Sequence, residues 1–571
     1  MTKSYGTTPP LSVKPPSPLE SYISKQFDLY LKACNFFEDD SDSLKRERTL
    51  GKLFYIFKKF CKSKLQRDSN CLLYTFGSYR LGVHSKGADI DTLCVGPREI
   101  TREIFFDEFF NLLKLEEGVS SLIKIESAHV PLIQLTFNDI KIDLVYASLN
   151  IDTIPENIEI LDSKLLKNLH EKCVLSLNGN RVTDEILDLV PNKKTFHEAL
   201  RIVKYWANKR HIYGNSFGYF GGVAFAISVA RICQLFPKAD SFKIVLKFFE
   251  LLHRWKWPNP IILKDVEDFN YNFKVWNPKV NSTDKYHKMP VITPAYPSMC
   301  STHNICHSTM KLFIKELERG YKILSELKNL TFNSGGSSGN SNSNNSGNNS
   351  NSNNTTNNNN TNTNNTTNNT TNNTTNKNNN TIANNNTTGE EQNKEIEKVL
   401  NKLFEPTNFL EINQNFILIF VNSNKENLET ASNLENASDD FERFTSFITS
   451  RIRLLTNRLE LLEEIEAAPA LPLKLTLSDP YFRPILDSFN IPESVAVELF
   501  FIGVEYSSNL LLEAVEVNIS KQISEFKSLV EGSDAYNENF SVEVRSCNQK
   551  DAVNFFKKYN ETVDKINSNQ I

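Results

Sequence analysis

The sequence predicts an α+β protein of three domains. Three features predict it. Short β-branched runs around Asp89, Asp91 and Asp143 read as a mixed sheet, a block with helical periodicity follows from about Leu165, and strands alternate with helices beyond an Asn/Thr-rich tract. The boundaries fall at 1–19 for a flexible arm, 20–164 for an α+β domain and 165–332 for a helical middle domain. Residues 333–393 form a low-complexity insert and 394–571 a C-terminal β/α domain.

The arm is proline-rich to Pro18 and reads as extended. Two helices follow, from Glu20 to Phe37 and from Ser43 to Leu65. The second turns Leu50, Leu53, Phe54, Phe57 and Phe60 inward and carries Lys45, Arg46, Arg48, Lys52, Lys58 and Lys59 on a solvated face. Cys71 to Phe76 and Ile90 to Val95 are strands. Thr101 opens a helix to Leu115 with Ile104, Phe105, Phe109 and Leu112 inward, and strands at 122–126, 130–137 and 140–146 complete the sheet.

In the middle domain, 174–179 reads as a turn segment ending at Gly179, and Arg181 to Leu189 as a short helix. Thr195-Phe196-His197-Glu198 has capping-box form and opens a helix through Lys209. Phe217 to Phe236 is apolar enough to be a buried helix, Ser241 to Leu252 is another, and Ser308 to Leu327 closes the domain after a Trp- and Pro-rich loop. The tract from 333 to 390, almost wholly Asn, Thr, Ser and Gly, has too little apolar area to offset chain entropy and is expected to be disordered. Beyond it come helices at 395–404, 441–461, 519–530 and 550–559, and strands at 415–421, 471–477, 495–503, 510–518 and 540–545.

The chemistry is concentrated between Phe76 and Asp91. Side chains two apart on a strand share a face, so Asp89 and Asp91 point together with Ile90 turned away. Carboxylates held that close repel unless a cation sits between them, and hard oxygen donors suit Mg²⁺, which also takes substrate phosphates. Gly77-Ser78 offers a phosphate close backbone approach, N–H groups and a hydroxyl. With Asp143 on a separate strand, the set matches what two-metal phosphoryl transfer needs.

This arrangement resembles the nucleotidyltransferase superfamily typified by DNA polymerase β, and more narrowly the eukaryotic poly(A) polymerases. The resemblance is close from about Tyr22 to Leu327 and fainter from about Lys398 to the end. It implies a polymerase β-like sheet, a helical middle domain and an RRM-like C-terminal domain. The aromatic signature of a base-reading RRM is absent, so backbone contacts to RNA are expected there. The implied activity is template-independent transfer of AMP from ATP to an RNA 3′ end, as in mRNA polyadenylation, with two Mg²⁺ or Mn²⁺ ions.

The resemblance makes Asp89, Asp91 and Asp143 the catalytic metal ligands. It assigns nucleotide contacts to Phe76, Gly77, Ser78, Lys86, Val130, Asn178, Lys204, Tyr213, Asn215, Gly222, Val223 and Thr302. Two departures stand out: Gln134 occupies a position where many relatives have a lysine, and Asn208 displaces the basic pair Lys209-Arg210. Rival implications are a uridylyltransferase, an oligoadenylate synthetase or a catalytically dead RNA-binding scaffold. The family further implies a nuclear monomer recruited by cleavage and polyadenylation factors.

Composition bounds the rest. With 571 residues, 39% hydrophobic, and a net charge of -4, the chain is no basic nucleic-acid coat, and RNA contacts must come from local patches. Nine cysteines without a C-x-x-C pair fit reduced thiols. Cys300, His303, Cys306 and His307 match no finger or ribbon spacing, so structural zinc is not expected. No apolar signal region opens the chain, and no apolar run approaches the ~20 residues of a membrane span.

Overall fold

A computed structural model of the chain describes residues 5–67, 70–126, 128–330, 389–424, 431–492, 494–507 and 517–569. Residues 333–388 of the expected low-complexity insert lie outside the described residues, its last five residues, 389–393, being helical, and nearly all of the strand expected at 510–518 also lies outside them.

The first sheet has five strands in the order β1-β2-β5-β4-β3: β1 (Leu72–Thr75), β2 (Ile90–Gly96), β3 (Val119–Ile125), β4 (Leu132–Phe137) and β5 (Ile140–Ser148). Only β2 and β5 run parallel; their neighbours pair antiparallel. One face packs on the helix Asp40–Leu65 through Leu53, Ile56, Phe57 and Phe60. Phe54, expected inside, is exposed. Arg46, expected on the solvated face, is buried against Glu38 and its Nη2 donates to the Ala88 carbonyl. The helix opened by Thr101 contains a π-helical turn, Phe105–Phe109, which rotates its buried face so that Phe106 and Leu113 join Phe105 and Phe109.

The opposite face of the sheet meets Glu171–Leu189, a single helix where a turn and a shorter helix were expected. Gly179 sits within it because the Phe76 ring lies where a side chain would stand. The next helix, Lys193–Lys209, starts earlier than the Thr195 capping box suggested: the Asn192 side chain accepts from Thr195 N and caps it. The apolar helix begins at Gly222, not Phe217, since Gly214 and Gly218 take positive φ and a 3₁₀ turn, Asn215–Phe217, comes between.

The helical core draws in chain from three places. The helix Pro18–Ala33 contributes Ile23, Phe27 and Leu31 to it, and the helix Gly389–Phe404 contributes Ile396, Val399, Leu400, Leu403 and Phe404. The sequence boundaries place these helices in the flanking domains, yet their apolar stripes pack into this core. The arm is docked here too: Leu11 N donates to Leu235 O at 2.9 Å and Arg231 Nη2 to Thr8 Oγ1 at 2.6 Å. Arg210 is buried against Glu316 at 2.7 Å, so this half of the displaced basic pair is structural.

The C-terminal part builds a second sheet, β10-β6-β9-β7, from β6 (Asn415–Asn424), β7 (Ile465–Ala467), β8 (Leu475–Thr476), β9 (Ser494–Tyr506) and β10 (Phe540–Asn548), with β8 paired to β9. Helices Ala431–Leu459 and Ser520–Glu531 cover one face. The helix Gln549–Asn569 covers the other, setting Phe555 and Phe556 on Phe501. This part locks onto the helical body: Glu460 caps the helix His307–Glu326 by accepting from His307 N and Ser308 N, and Tyr219 Oη donates to Ala470 O at 3.1 Å. Phe217 packs into both cores. Among the described residues no helix is long and apolar enough to cross a membrane.

Candidate functional site

The sheet, the helix Glu171–Leu189 and the helical body enclose a cavity of about 900 Å³. Its carboxylate wall follows from strand register. Asp91 on β2 stands directly opposite Asp143 on β5, and residues in register on neighbouring strands share a face. Asp89 lies one residue ahead of β2.

Burial, reinforced by the Asp89 and Asp143 carboxylates, pushes Asp91 up to about 7, against the pull of Lys204. Burial likewise raises Asp143 to about 6, opposed by the amide of Gln134, whose Nε2 donates to Oδ1 at 3.1 Å, and helped by Asp89. Among the described residues no three His, Cys, Asp or Glu side chains are drawn together tightly enough to enclose an ion. Asp91 leans onto Gly77 while Asp143 is held by Gln134. The donor set nevertheless fits a hard divalent cation: Asp89 and Asp91 line the cavity, Asp143 stands beside Asp91 in strand register, and burial with mutual repulsion raises two of the three carboxyls.

The Gly-Ser turn is Gly77–Arg80, a single helical turn. Gly77 is required twice over, by a φ of +61° and by the Asp91 carboxylate occupying the place of a side chain. The turn is tied down by Gly77 N donating to Thr183 Oγ1 at 3.3 Å and Asn180 Nδ2 to Thr75 O at 3.1 Å.

Across the cavity, Lys204 projects from Lys193–Lys209, while Leu200, Val203 and Ala207 of the same helix are buried in the core. Burial lowers Lys204 to about 8 even though Asp89 and Asp91 favour its charge. Among the described residues its Nζ donates only to Val83 O, at 3.4 Å. Tyr213 stacks on Phe225 with parallel rings 5.8 Å apart, and its hydroxyl leaves no room for a side chain at Gly222. Asn178 and Asn215 each present a buried Oδ1 without a partner among the described residues. Orphaned acceptors beside a lysine and a glycine turn are what a polar, phosphate-bearing ligand would satisfy.

Of the residues expected at a nucleotide, Phe76, Gly77, Ser78, Val130, Asn178, Lys204, Tyr213, Asn215, Gly222 and Val223 line this cavity, as do Asp89 and Asp91. Two do not. Lys86 is exposed and paired with Asp42 at 2.9 Å and Asp39 at 3.4 Å. Thr302 is buried behind the wall, donating to Met289 O and accepting from Val291 N. It thereby braces a hairpin in which Ser301 N donates to Val291 O and Thr293 N to Met299 O. That hairpin brings Thr293, Met299 and Ser301 to the cavity, none of which the sequence marked; His129 and His303 also line it.

Family models match two consecutive stretches: "Poly(A) polymerase nucleotidyltransferase domain" over residues 6–190 and "Poly(A) polymerase central domain" over 195–333. "Poly(A) polymerase pla1" of Schizosaccharomyces pombe is 45% identical over 335 residues, 57% of this chain and 59% of that protein. "Poly(A) polymerase PAPalpha" of Candida albicans is 46% identical over 335 residues, 57% of this chain and 60% of that protein. The match thus spans about three fifths of these relatives. Among solved structures, the polymerase core of TRAMP, an RNA surveillance complex, aligns at 15% identity with a TM-score of 0.37, covering 55% of this chain and 90% of that one.

Proposed function

The chain belongs to the poly(A) polymerase family through its nucleotidyltransferase and central domains, and from that premise we propose that it is a template-independent ATP:RNA adenylyltransferase. The single observation that supports this best is Asp91, paired in register with Asp143 and lining a cavity together with Asp89, Lys204 and two asparagines whose oxygens lack a partner among the described residues.

In this reading the RNA 3′-hydroxyl attacks the α-phosphorus of ATP in line, the bond to the β-phosphate oxygen breaks, and pyrophosphate leaves. Asp89, Asp91 and Asp143 would hold divalent ions, Mg²⁺ or Mn²⁺, which when bound supply acidification of the 3′-hydroxyl and neutralisation of the phosphates. Asp143, raised to about 6, is suited to take the hydroxyl proton. Ser78 and Lys204 hold the β- and γ-phosphates. Tyr213 meets the base or a phosphate, Asn178 the ribose or a phosphate, and Asn215 the adenine. Val130, Gly222 and Val223 make apolar and backbone contacts with the adenine. Base choice must come from the protein because there is no template, and domain closure on ATP would contribute to it.

The C-terminal part, whose strands β6 to β10 alternate with helices, is read as an RRM-like module. Its sheet lies under helix on both faces, which favours backbone contacts with RNA over base stacking on the sheet. The three-domain layout, nuclear residence, a monomeric state and recruitment by cleavage and polyadenylation factors complete the proposal.

The test is incubation of the purified chain with an unstructured RNA primer and each nucleoside triphosphate separately. Extension with ATP well above GTP and UTP is expected, and it should vanish in Asp91→Ala. Equal extension with all nucleotides would remove base choice, and none with any would remove the activity.

A further inference from the structure

Asp89 differs from its two companions in how its backbone is held. The β2–β5 ladder begins at Ile90, opposite Ile142, so Asp91 and Asp143 are fixed by sheet hydrogen bonding and Asp89 is not. The loop Gly82–Ala88 sets its position instead. That loop is tied to its surroundings by Lys86 N donating to Phe36 O at 2.8 Å, Val83 N to Ser78 O at 3.0 Å, Arg201 Nη2 to Gly82 O at 2.5 Å, Lys204 Nζ to Val83 O at 3.4 Å and the Lys86 ion pairs to Asp39 and Asp42, while Ala88 N closes back on Ser85 O within the loop.

The last anchor before the aspartate comes from Arg46. Its Nη2 donates to the Ala88 carbonyl at 2.6 Å, which fixes the peptide plane leading into Asp89. The guanidinium is itself held. Arg46 is 5% exposed and pairs through Nε with Glu38 at 2.7 Å. Glu38 Oε1 is shared with His84 Nε2 at 2.9 Å and with the Ser43 hydroxyl at 2.9 Å. His84 belongs to the same loop, so Glu38 and Arg46 grip it at both ends. Burying an ion pair is costly against an apolar substitute, so its presence beneath a catalytic loop calls for a reason beyond stability.

We propose that Arg46, clamped by Glu38, is a positioning residue that holds the Ala88 carbonyl and so fixes the Asp89 carboxylate for divalent-ion binding. This rests on the proposed role of Asp89 as a metal ligand. Arg46 touches no substrate; it acts through the backbone, as the outer partners of metal ligands do.

The test is a titration of the full chain with Mn²⁺ alone, free ion being read by electron paramagnetic resonance, alongside steady-state kinetics. Arg46→Met should weaken Mn²⁺ binding at least fivefold and lower kcat about tenfold with KM for ATP within twofold of the parent. Arg46→Lys should recover part of both. Removing Arg46 alone strands the Glu38 charge, so the double variant Glu38→Gln/Arg46→Met is the control for folding. A folded double variant that binds Mn²⁺ within twofold of the parent overturns the inference. So does loss of its cooperative melt, which would make the cluster purely structural. Asp89→Ala separates the two levels: if it binds Mn²⁺ like the parent, the ligand assignment fails, whatever Arg46 does.

Discussion

Gln134 Nε2 donates to Asp143 Oδ1 across 3.1 Å, from the residue directly opposite on β4. The neutral amide steadies the charged carboxylate without adding a cation, and Asp143 stays raised at about 6. Gln134→Leu should move the acid limb of the kcat/KM profile up by roughly 0.5–1 pH unit, and Gln134→Lys should move it down. A pH–rate series from 5 to 8 checks both directions.

Asp91 and Asp143 keep protons in the folded chain at pH values where the unfolded chain has released them. A raised carboxyl therefore contributes stability that is complete below its unfolded pKa of about 4 and is lost as pH climbs through about 6 to 7. Without divalent ions, the melting midpoint should fall between pH 5 and pH 8. Asp91→Asn should raise the midpoint at pH 8 by roughly 2–4 °C and remove most of the gain from added Mn²⁺. Thermal scans with chelator and with Mn²⁺ decide it.

Lys204, lowered to about 8, is charged at neutral pH and loses its proton just above it. KM for ATP should rise as pH passes 8. Lys204→Arg should flatten that limb because guanidinium stays charged. Lys204→Met should raise KM about 10–100-fold at pH 7, the range for a lost charge-assisted hydrogen bond. Primer affinity should be unchanged, which a filter-binding assay without ATP would read.

The unpartnered oxygens of Asn178 and Asn215 are each expected to take a nucleotide hydrogen bond. Asn178→Ala and Asn215→Ala should each raise KM for ATP about 3–10-fold. Only Asn215→Ala should also narrow the preference for ATP over GTP. Competition between the two nucleotides on one primer measures this.

The carboxylates and the Gly-Ser turn were legible in the sequence because strand alternation and turn chemistry are local properties. Gly179 misled for the opposite reason: its contact is the Phe76 ring, distant in sequence, and nothing nearby distinguishes a packing glycine from a turn glycine. Arg46 was hidden likewise, since its partners Glu38 and Ala88 meet only in the fold. Thr302 was expected at the ligand yet supports the hairpin from behind, and Met299 and Ser301 reach the cavity with no motif to announce them. The helices Pro18–Ala33 and Gly389–Phe404 were recognised as helices, but periodicity does not say which core a stripe will join.

Phe217 sits two residues beyond Asn215 with its ring wedged between the helical body and the C-terminal sheet's helices. Pulling the C-terminal part away would leave that ring half bare and free the short turn that carries Asn215 into the cavity. Sequence drift in a part remote from the three carboxylates therefore reaches the cavity wall, and a truncation there is a mutation of the pocket.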